Sequence, residues 1–375
     1  MALNAYGHAY GVRPNDFTAA EYAAIAGRFR IFTVEKDHAR AVYGNESAPP
    51  PFQTNSLAAS VGTAQRIKAH NASVKVLMYW NAALHYNFYE CESEVDVGWT
   101  MPNPNPKKSV RYWNYSVPAF RTWWVRCAVD AVRGSGGALD GLFLDATPKV
   151  DNEQDEGARF APWALWSHLE QWGKMVDSVR AALGLGAIII DNGFYLTPAG
   201  GELAGNPAWA HTGVSYTESM KAVGSTESAE QGAAYLEWLA AAASAHPNRT
   251  LIGHGGLNAT ATGATTDPAF TFGLAKYMLV TSSTRHGWFL ANAGSYSIDG
   301  GLLAQPAAAY RGEGLGCGEP LAPLARVGTA GQYRFRRNFE RGTVDVDLQE
   351  VTATIACGAA TLTAEPEVRT GWNPL

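Results

Sequence analysis

The sequence predicts a (β/α)8 TIM barrel over residues 1–310, followed by a small C-terminal antiparallel β domain over residues 311–375. Three observations predict this fold. Short apolar strands alternate with amphipathic helical segments, which is typical of parallel βα units. After about residue 310 the pattern changes to an alternation of period two, which is typical of antiparallel strands. Hydrophobic residues make up 46% of the chain and charged residues 17%, so we expect a compact protein with a large core.

The strand count carries the barrel prediction, because eight strands with intervening helices match this fold. The predicted strands are residues 4–10, 29–36, 74–81, 140–146, 187–192, 212–219, 250–256 and 286–292. The predicted helices are residues 18–29, 56–70, 117–134, 163–183, 228–246 and 270–283. A doubly wound sheet is disfavoured, because the GSGG stretch at 134–137 precedes a strand instead of following one.

The predicted C-terminal domain begins as a hairpin. The stretch YRFRRNFERGTVDVDLQEVTATIAC, residues 333–357, alternates with period two around an Arg-Gly turn. Four cysteines permit two disulfides, and the pairings nearest in sequence are Cys91–Cys127 and Cys317–Cys357. None of them has the spacing of a zinc site, so we expect no metal and no cofactor.

Composition also narrows the classes of partner. The net charge is −5 and there is no basic stripe, so we expect no nucleic acid. No run of about 18 apolar residues occurs, so we expect no membrane span. The N-terminus lacks a signal-peptide pattern. The sequence therefore leaves open a cytosolic protein or a chain trimmed of its signal, and in the second case an extracellular or secretory location is favoured.

Polar and aromatic residues recur where the predicted strands end. In a barrel of this kind, the active site lies at the C-terminal ends of the strands. A polar rim with aromatic residues suits a carbohydrate, because flat rings supply rigid contact area and polar groups bind hydroxyls. The predicted substrate-binding residues are Glu35, Lys36, Tyr79, Trp80, Asn81, Asp191, Asn192, His254, Trp288 and Asn292. Of these, we expect Trp80 and Trp288 to form walls that stack on sugars.

Two carboxylates on this rim are the predicted catalytic pair, Asp145 and Glu218. Glycoside cleavage needs one group that protonates the leaving oxygen and one that attacks the anomeric carbon or activates water. The short Asp145, close to the backbone, suits the nucleophile. The longer Glu218, near Tyr216, suits a raised pKa and the acid role. This assignment favours retention of configuration.

Structural roles remain open for each carboxylate. Asp145 could cap a following helix or form a turn, and Glu218 could begin a helix at Ser219. Asp191 competes for either catalytic role but could be a turn former. Glu35 and Lys36 could form a buried ion pair. Asp140, at the start of its strand, is predicted to be structural.

Several segments together resemble hypothetical glycosyl hydrolase family 15. They are YGHAYG, FTVEKDHA, VKVLMYWN, DGLFLDA and YRFRRNFERGTVDVD, in this order from the first strand to the terminal β domain. The resemblance implies a TIM barrel, a carbohydrate substrate and Asp145 as a catalytic carboxylate. The resemblance does not extend to Glu218, whose assignment as the acid rests on its position at the end of a predicted strand. The alternatives to a glycosidase that cleaves poly- or oligosaccharides are a non-catalytic sugar-binding barrel and a polysaccharide lyase or transglycosylase.

Overall fold

The computed structural model of the 375-residue chain describes residues 4–9, 16–36, 56–102, 110–147, 162–194, 211–217, 220, 228–256, 268–281, 287–292, 316–358 and 360–364. The chain has a parallel barrel-type sheet with helices between its strands, and it ends in an antiparallel sheet. The predicted fold class is confirmed at this level. The chain divides into two compact units: the first comprises residues 7–193 and 206–215, and the second residues 1–6, 194–205 and 216–375.

All eight predicted barrel strands are present. They are β1 Asn4–Ala9, β2 Ile31–Val34, β3 Lys75–Asn81, β7 Gly141–Asp145, β8 Ile188–Phe194, β9 Val214–Thr217, β10 Thr250–Gly256 and β11 Gly287–Asn292. The predicted helices are also present, as α1 Ala19–Arg28, α2 Ser56–His70, α3 Pro118–Gly134, α4 Pro162–Leu183, α5 Ala229–Ala245 and α6 Pro268–Val280. None of the helices in the described ranges is long and apolar enough to cross a membrane.

In the first unit, strands β2, β3, β7 and β8 pair in parallel in that order. Strand β2 and most of β7 are buried, as expected for the continuous apolar runs of parallel strands. The first residue of β7, Gly141, must be a glycine because a Cβ at this position would lie 1.8 Å from the Ile188 carbonyl oxygen. The register places Asn81 beside Asp145, so the carboxyl ends of β3 and β7 are adjacent.

Helix α1 has a capping box that its sequence explains. The Thr18 hydroxyl accepts a hydrogen bond from the Glu21 backbone N–H (3.3 Å), and the Glu21 carboxylate accepts one from the Thr18 N–H (2.7 Å). At the start of β7, Asp140 accepts bonds from the Val76 N–H (2.9 Å) and the Lys75 ammonium (3.0 Å). Asp140 is therefore structural, as predicted.

The segment between β3 and α3, for which the sequence predicts no strand or helix, is partly regular. Strands β4 Leu84–His85, β5 Thr100–Met101 and β6 Arg111–Trp113 form a small antiparallel sheet in the order β4-β6-β5. Short 3-10 helices cover Glu90–Glu94 and Val97–Trp99. Strands of two or three residues leave no detectable period in the sequence. The Cys91–Cys127 disulfide joins this segment to α3, and it is one of the two pairings nearest in sequence that the cysteine count permits.

The second unit contains β10 and β11, which pair in parallel, and the first residues of β1 pair with β11. Its antiparallel sheet comprises β12 Ala325–Arg326, β13 Arg334–Phe339, β14 Gly342–Asp347, β15 Thr352–Cys357 and β16 Ala360–Ala364. This confirms the predicted hairpin, and a disulfide joins Cys317 to Cys357, the other pairing that the cysteine count permits. The predicted domain boundary at residue 310 lies outside the described residues and stays a prediction.

Candidate active site

The Asp145 carboxylate lies at the C-terminal end of β7 and is half-buried. Its backbone carbonyl accepts a hydrogen bond from the Ala82 N–H (2.8 Å). The next residue, Ala146, has φ of 59°, a left-handed conformation that is costly for a residue with a Cβ. Such strained positions cluster at functional sites. The sharp turn ends the strand directly after the carboxylate.

Three side chains hold this carboxylate, and with Asp145 they form what we call the Asp145 cluster. The Tyr79 hydroxyl and the Asn81 amide (3.2 Å) donate to Oδ2, and the Asn192 amide donates to Oδ1 (2.8 Å). The Asn81 amide also donates to the Tyr79 hydroxyl (2.8 Å). Within the described part of the chain, Asp145 accepts from side chains on β3 and β8 and not from a helix N-terminus. The helix-cap alternative therefore receives no support.

The donors divide unequally between the two carboxylate oxygens. An ionised carboxylate has about four acceptor sites, two on each oxygen. Tyr79 and Asn81 occupy both sites of Oδ2, whereas Asn192 occupies one site of Oδ1. Because Oδ1 keeps one acceptor position among the described residues, it is the oxygen of Asp145 that can face a substrate.

A second group of charged side chains, the Glu35 triad, comprises His8, Glu35 and Lys36. The Glu35 carboxylate lies 2.7 Å from His8 Nε2 and 3.1 Å from Lys36 Nζ, and all three residues are buried. Burial alone would raise the pKa of Glu35, but the charge of Lys36 and the hydrogen bond with His8 outweigh it and lower the pKa. Glu35 is therefore ionised and paired, as the ion-pair alternative predicts.

The Glu35 triad contacts the Asp145 cluster through aromatic rings. Lys36 Nζ lies 4.3 Å from the ring centroid of Tyr79 and 5.1 Å from that of Tyr86. Burial raises the pKa of Tyr79 well above its usual value, and the negative charges of Asp145 and Glu35 raise it further. Tyr79 therefore stays a phenol at neutral pH and keeps its proton for the bond to Asp145.

Two predicted residues on the same strands lie elsewhere. The Trp80 ring is buried against Tyr89, at 5.3 Å between centroids, and against Trp124, at 5.9 Å. It packs in the core, which does not support the predicted sugar-stacking wall. Asp191 is fully buried and accepts bonds from the hydroxyls of Thr212 and Ser215 (2.6 Å for Ser215). Successive side chains on a strand point to opposite faces, so Trp80 and Asp191 point away from their neighbours in the Asp145 cluster.

The remaining predicted residues belong to the second unit. His254 is buried on β10, and its ring centroid lies 5.6 Å from that of Tyr216. Trp288 and Asn292 lie on β11, and the positions of their side chains are outside the described structure. Glu218 lies outside the described residues, so its predicted acid role stays a prediction.

Tyr86 was not predicted. It is half-buried beside Lys36 and contributes to the raised pKa of Tyr79. Tyr86 follows β4, beyond the end of a predicted strand, and strand-end counting does not reach such a position. Across the described ranges, no group of three or more His, Cys, Asp or Glu side chains is arranged to hold a metal ion.

Comparison with solved structures finds glycosidases. A variant of the α-galactosidase AgaA of family GH36 from Geobacillus stearothermophilus, in complex with 1-deoxygalactonojirimycin, is 8% identical and has a TM-score of 0.51, over 94% of this chain and 47% of that chain. The maltogenic α-amylase AmyB from Thermotoga neapolitana is 11% identical with a TM-score of 0.51, over 94% of this chain and 88% of that one. The glycoside hydrolase domain of PelA from Pseudomonas aeruginosa is 13% identical with a TM-score of 0.41, over 68% and 84%.

At these identities the first two likenesses show a shared fold. A search of curated protein sequences finds no match. The sequence profile of hypothetical glycosyl hydrolase family 15 matches residues 68–343, about three quarters of the chain, and confirms the resemblance predicted from the sequence. The protein belongs to hypothetical glycosyl hydrolase family 15.

Proposed function

We propose that the protein is a glycoside hydrolase that cleaves a poly- or oligosaccharide at the C-terminal face of a closed (β/α)8 barrel. Asp145 is one catalytic carboxylate and Glu218 is the other. Family membership supports a carbohydrate-active enzyme. The observation that carries the assignment to Asp145 is a half-buried carboxylate that three donors in the described part of the chain orient and that keeps one acceptor position open there on Oδ1.

The other carboxylates at the described strand ends are less suited to attack. Glu35 is buried and neutralised by Lys36, and Asp191 is fully buried with two hydroxyl donors. A substrate can reach neither without displacing the groups that pair with it. Asp145 is more exposed than both. It is therefore the carboxylate that supports nucleophilic chemistry best.

The proposed reaction retains configuration. Oδ1 of Asp145 attacks the anomeric carbon while Glu218 protonates the departing glycosidic oxygen, and a glycosyl ester forms on Asp145. Glu218 then removes a proton from water, which attacks the anomeric carbon and releases Asp145. A nucleophile must be held rigidly close to its strand, and the three donors to Asp145 satisfy that requirement.

A polysaccharide lyase is the less favoured alternative. A lyase that acts on uronates needs a cation to neutralise the substrate carboxylate. Lys36 was the basic residue predicted at the rim, but its ammonium already lies against Glu35 and the rings of Tyr79 and Tyr86. Binding a uronate would require Lys36 to leave these partners, which weighs against the lyase.

Hydrolysis of aryl glycosides and of poly- and oligosaccharides tests the proposal. We expect Asp145→Asn and Glu218→Gln each to lower kcat by about 10³-fold or more while substrate still binds. Asp130→Asn, an exposed position on α3, is the matched control and should keep wild-type kcat. NMR of the first-formed anomer reports retention. Asp145→Asn activity within about tenfold of wild type would exclude Asp145, and binding without any turnover would indicate a sugar-binding protein.

A further inference from the structure

Lys36 occupies an unusual setting for a lysine at the end of a strand. Its ammonium lies 3.1 Å from the Glu35 carboxylate and faces two aromatic rings, with centroids at 4.3 Å for Tyr79 and 5.1 Å for Tyr86. The residue is 9% exposed. A desolvated cation over an aromatic face is attracted by the ring quadrupole more strongly than one in water. Lys36 therefore restrains the ring of Tyr79.

This restraint reaches Asp145 through one hydrogen bond. The Tyr79 hydroxyl donates to Oδ2 of Asp145, whereas Lys36 makes no ion pair with Asp145 among the described residues. The Asn81 amide is shared between the Tyr79 hydroxyl (2.8 Å) and Oδ2 (3.2 Å). If the Tyr79 ring shifted, both donors to Oδ2 would change their geometry. The carboxylate would then lose its fixed orientation.

We propose that Lys36 is a positioning residue of the hydrolytic site: its ammonium fixes the Tyr79 ring, and the Tyr79 hydroxyl fixes Oδ2 so that Oδ1 of Asp145 faces the anomeric carbon. This inference rests on the proposed function. The positive charge of Lys36 also offsets the negative charge of Glu35 and lowers the pKa of that carboxyl. In this role Lys36 orients the Asp145 carboxylate through Tyr79 and does not bind an anionic sugar.

A double-mutant cycle of Lys36→Met and Tyr79→Phe tests the route through Tyr79. Met keeps the length of the side chain without its charge, and Phe keeps the ring without its hydroxyl. We expect Lys36→Met to lower kcat by about ten- to 30-fold with KM changed less than about twofold. In the Tyr79→Phe background, the same change should lower kcat by less than about threefold, because the hydroxyl through which Lys36 acts is gone. Lys174→Met, an exposed position on α4, is the control.

Two results would overturn the inference. If the fold-decrease in kcat of the double variant equalled the product of the decreases for Lys36→Met and Tyr79→Phe, Lys36 would not act through Tyr79. A rise in KM with kcat unchanged would instead make Lys36 a substrate-binding residue. Thermal unfolding of Tyr79→Leu, Lys36→Met and the double variant tests the ring contact without substrate, and additive shifts in melting temperature would contradict it. Absence of turnover in the wild type would refute the proposed function, whereas the unfolding cycle would still decide whether Lys36 restrains Tyr79.

Discussion

At the scale of single residues, Glu92 makes the stability of the protein depend on pH. It is buried in the 3-10 helix after β4, and its Oε2 accepts bonds from the N–H groups of Phe88 and Tyr89 (3.4 Å for Tyr89). Burial raises its pKa from 4.5 to about 8, although the two N–H donors act in the opposite direction. The folded protein therefore keeps a proton on Glu92 at a pH where the unfolded chain has released it.

The sign of the effect follows from this raised pKa. Between pH 4.5 and about 8 the unfolded chain loses the proton and the folded chain keeps it, so the free energy of unfolding falls as pH rises. The fall is on the order of 4 kcal/mol across this window. Glu92→Gln stays neutral and its carbonyl oxygen can accept both N–H bonds. We expect its melting temperature to match wild type at about pH 4.5 and to exceed it by several degrees at about pH 9.

Glu94→Gln is the matched control for this prediction, because Glu94 belongs to the same short helix but is exposed beside Arg126. The melting temperature of Glu94→Gln should therefore differ from that of the wild type by the same amount at every pH from about 4.5 to 9. A constant difference for Glu92→Gln as well would show that Glu92 is ionised in the folded protein at neutral pH.

Residue patterns predicted part of the candidate site. Strand ends identified Asp145, Tyr79, Asn81 and Asn192, and the structure brings these four together. The same reasoning selected Trp80, which packs in the core. The last residues of a strand alternate between two faces, and both faces of a parallel strand are apolar, so hydrophobicity does not indicate which side chain points to the site.

At the scale of elements, Arg337 on β13 closes the C-terminal end of α6. Its Nη1 donates to the carbonyls of Met278 (3.1 Å), Leu279 (2.8 Å) and Thr281 (2.5 Å). The last carbonyls of a helix have no partner within the helix, and a cation there also complements the helix dipole. Burial lowers the pKa of Arg337 to about 10, so it stays charged at neutral pH.

Removing this guanidinium should destabilise the second unit. We expect Arg337→Met to lower the free energy of unfolding by about 3 to 5 kcal/mol, because buried carbonyls lose their donors. Arg336→Met on the same strand is the matched control. Arg336 is exposed and pairs with Asp345, so its loss should cost less than about 1 kcal/mol. Urea denaturation measures both, and equal effects would contradict a special role for Arg337.

Elements were easier to predict from the sequence than their contacts. Exposed and buried residues alternate along β13, and the phenylalanines at both ends of its buried face, Phe335 and Phe339, are visible in the sequence two residues on either side of Arg337. That pattern assigns Arg337 to the apolar face but does not reveal the helix that receives it. The pairing of Arg337 with Met278 joins residues 59 positions apart, and no local period encodes such a contact.

At the scale of the whole molecule, each of the two units contains one disulfide. Cys91–Cys127 encloses a separation of 36 residues in the first unit, and Cys317–Cys357 encloses 40 in the second. Cross-links of this span restrict the unfolded chain and stabilise the folded one by roughly 3 to 4 kcal/mol each in the chain-entropy account. Because the two spans are similar, we expect the free energy of unfolding to fall by a similar amount when either cross-link is removed.

Paired alanine variants test this prediction. We expect Cys91→Ala with Cys127→Ala, and Cys317→Ala with Cys357→Ala, each to lower the free energy of unfolding by about 2 to 5 kcal/mol. Reductant should lower the melting temperature of the wild type. It should not change the melting temperature of a variant in which all four cysteines are alanine, and this control separates loss of the cross-link from other effects of the reagent. If one alanine pair were as stable as the wild type, the corresponding loop would already be restricted in the unfolded chain, and its cross-link would contribute nothing to the stability of that unit.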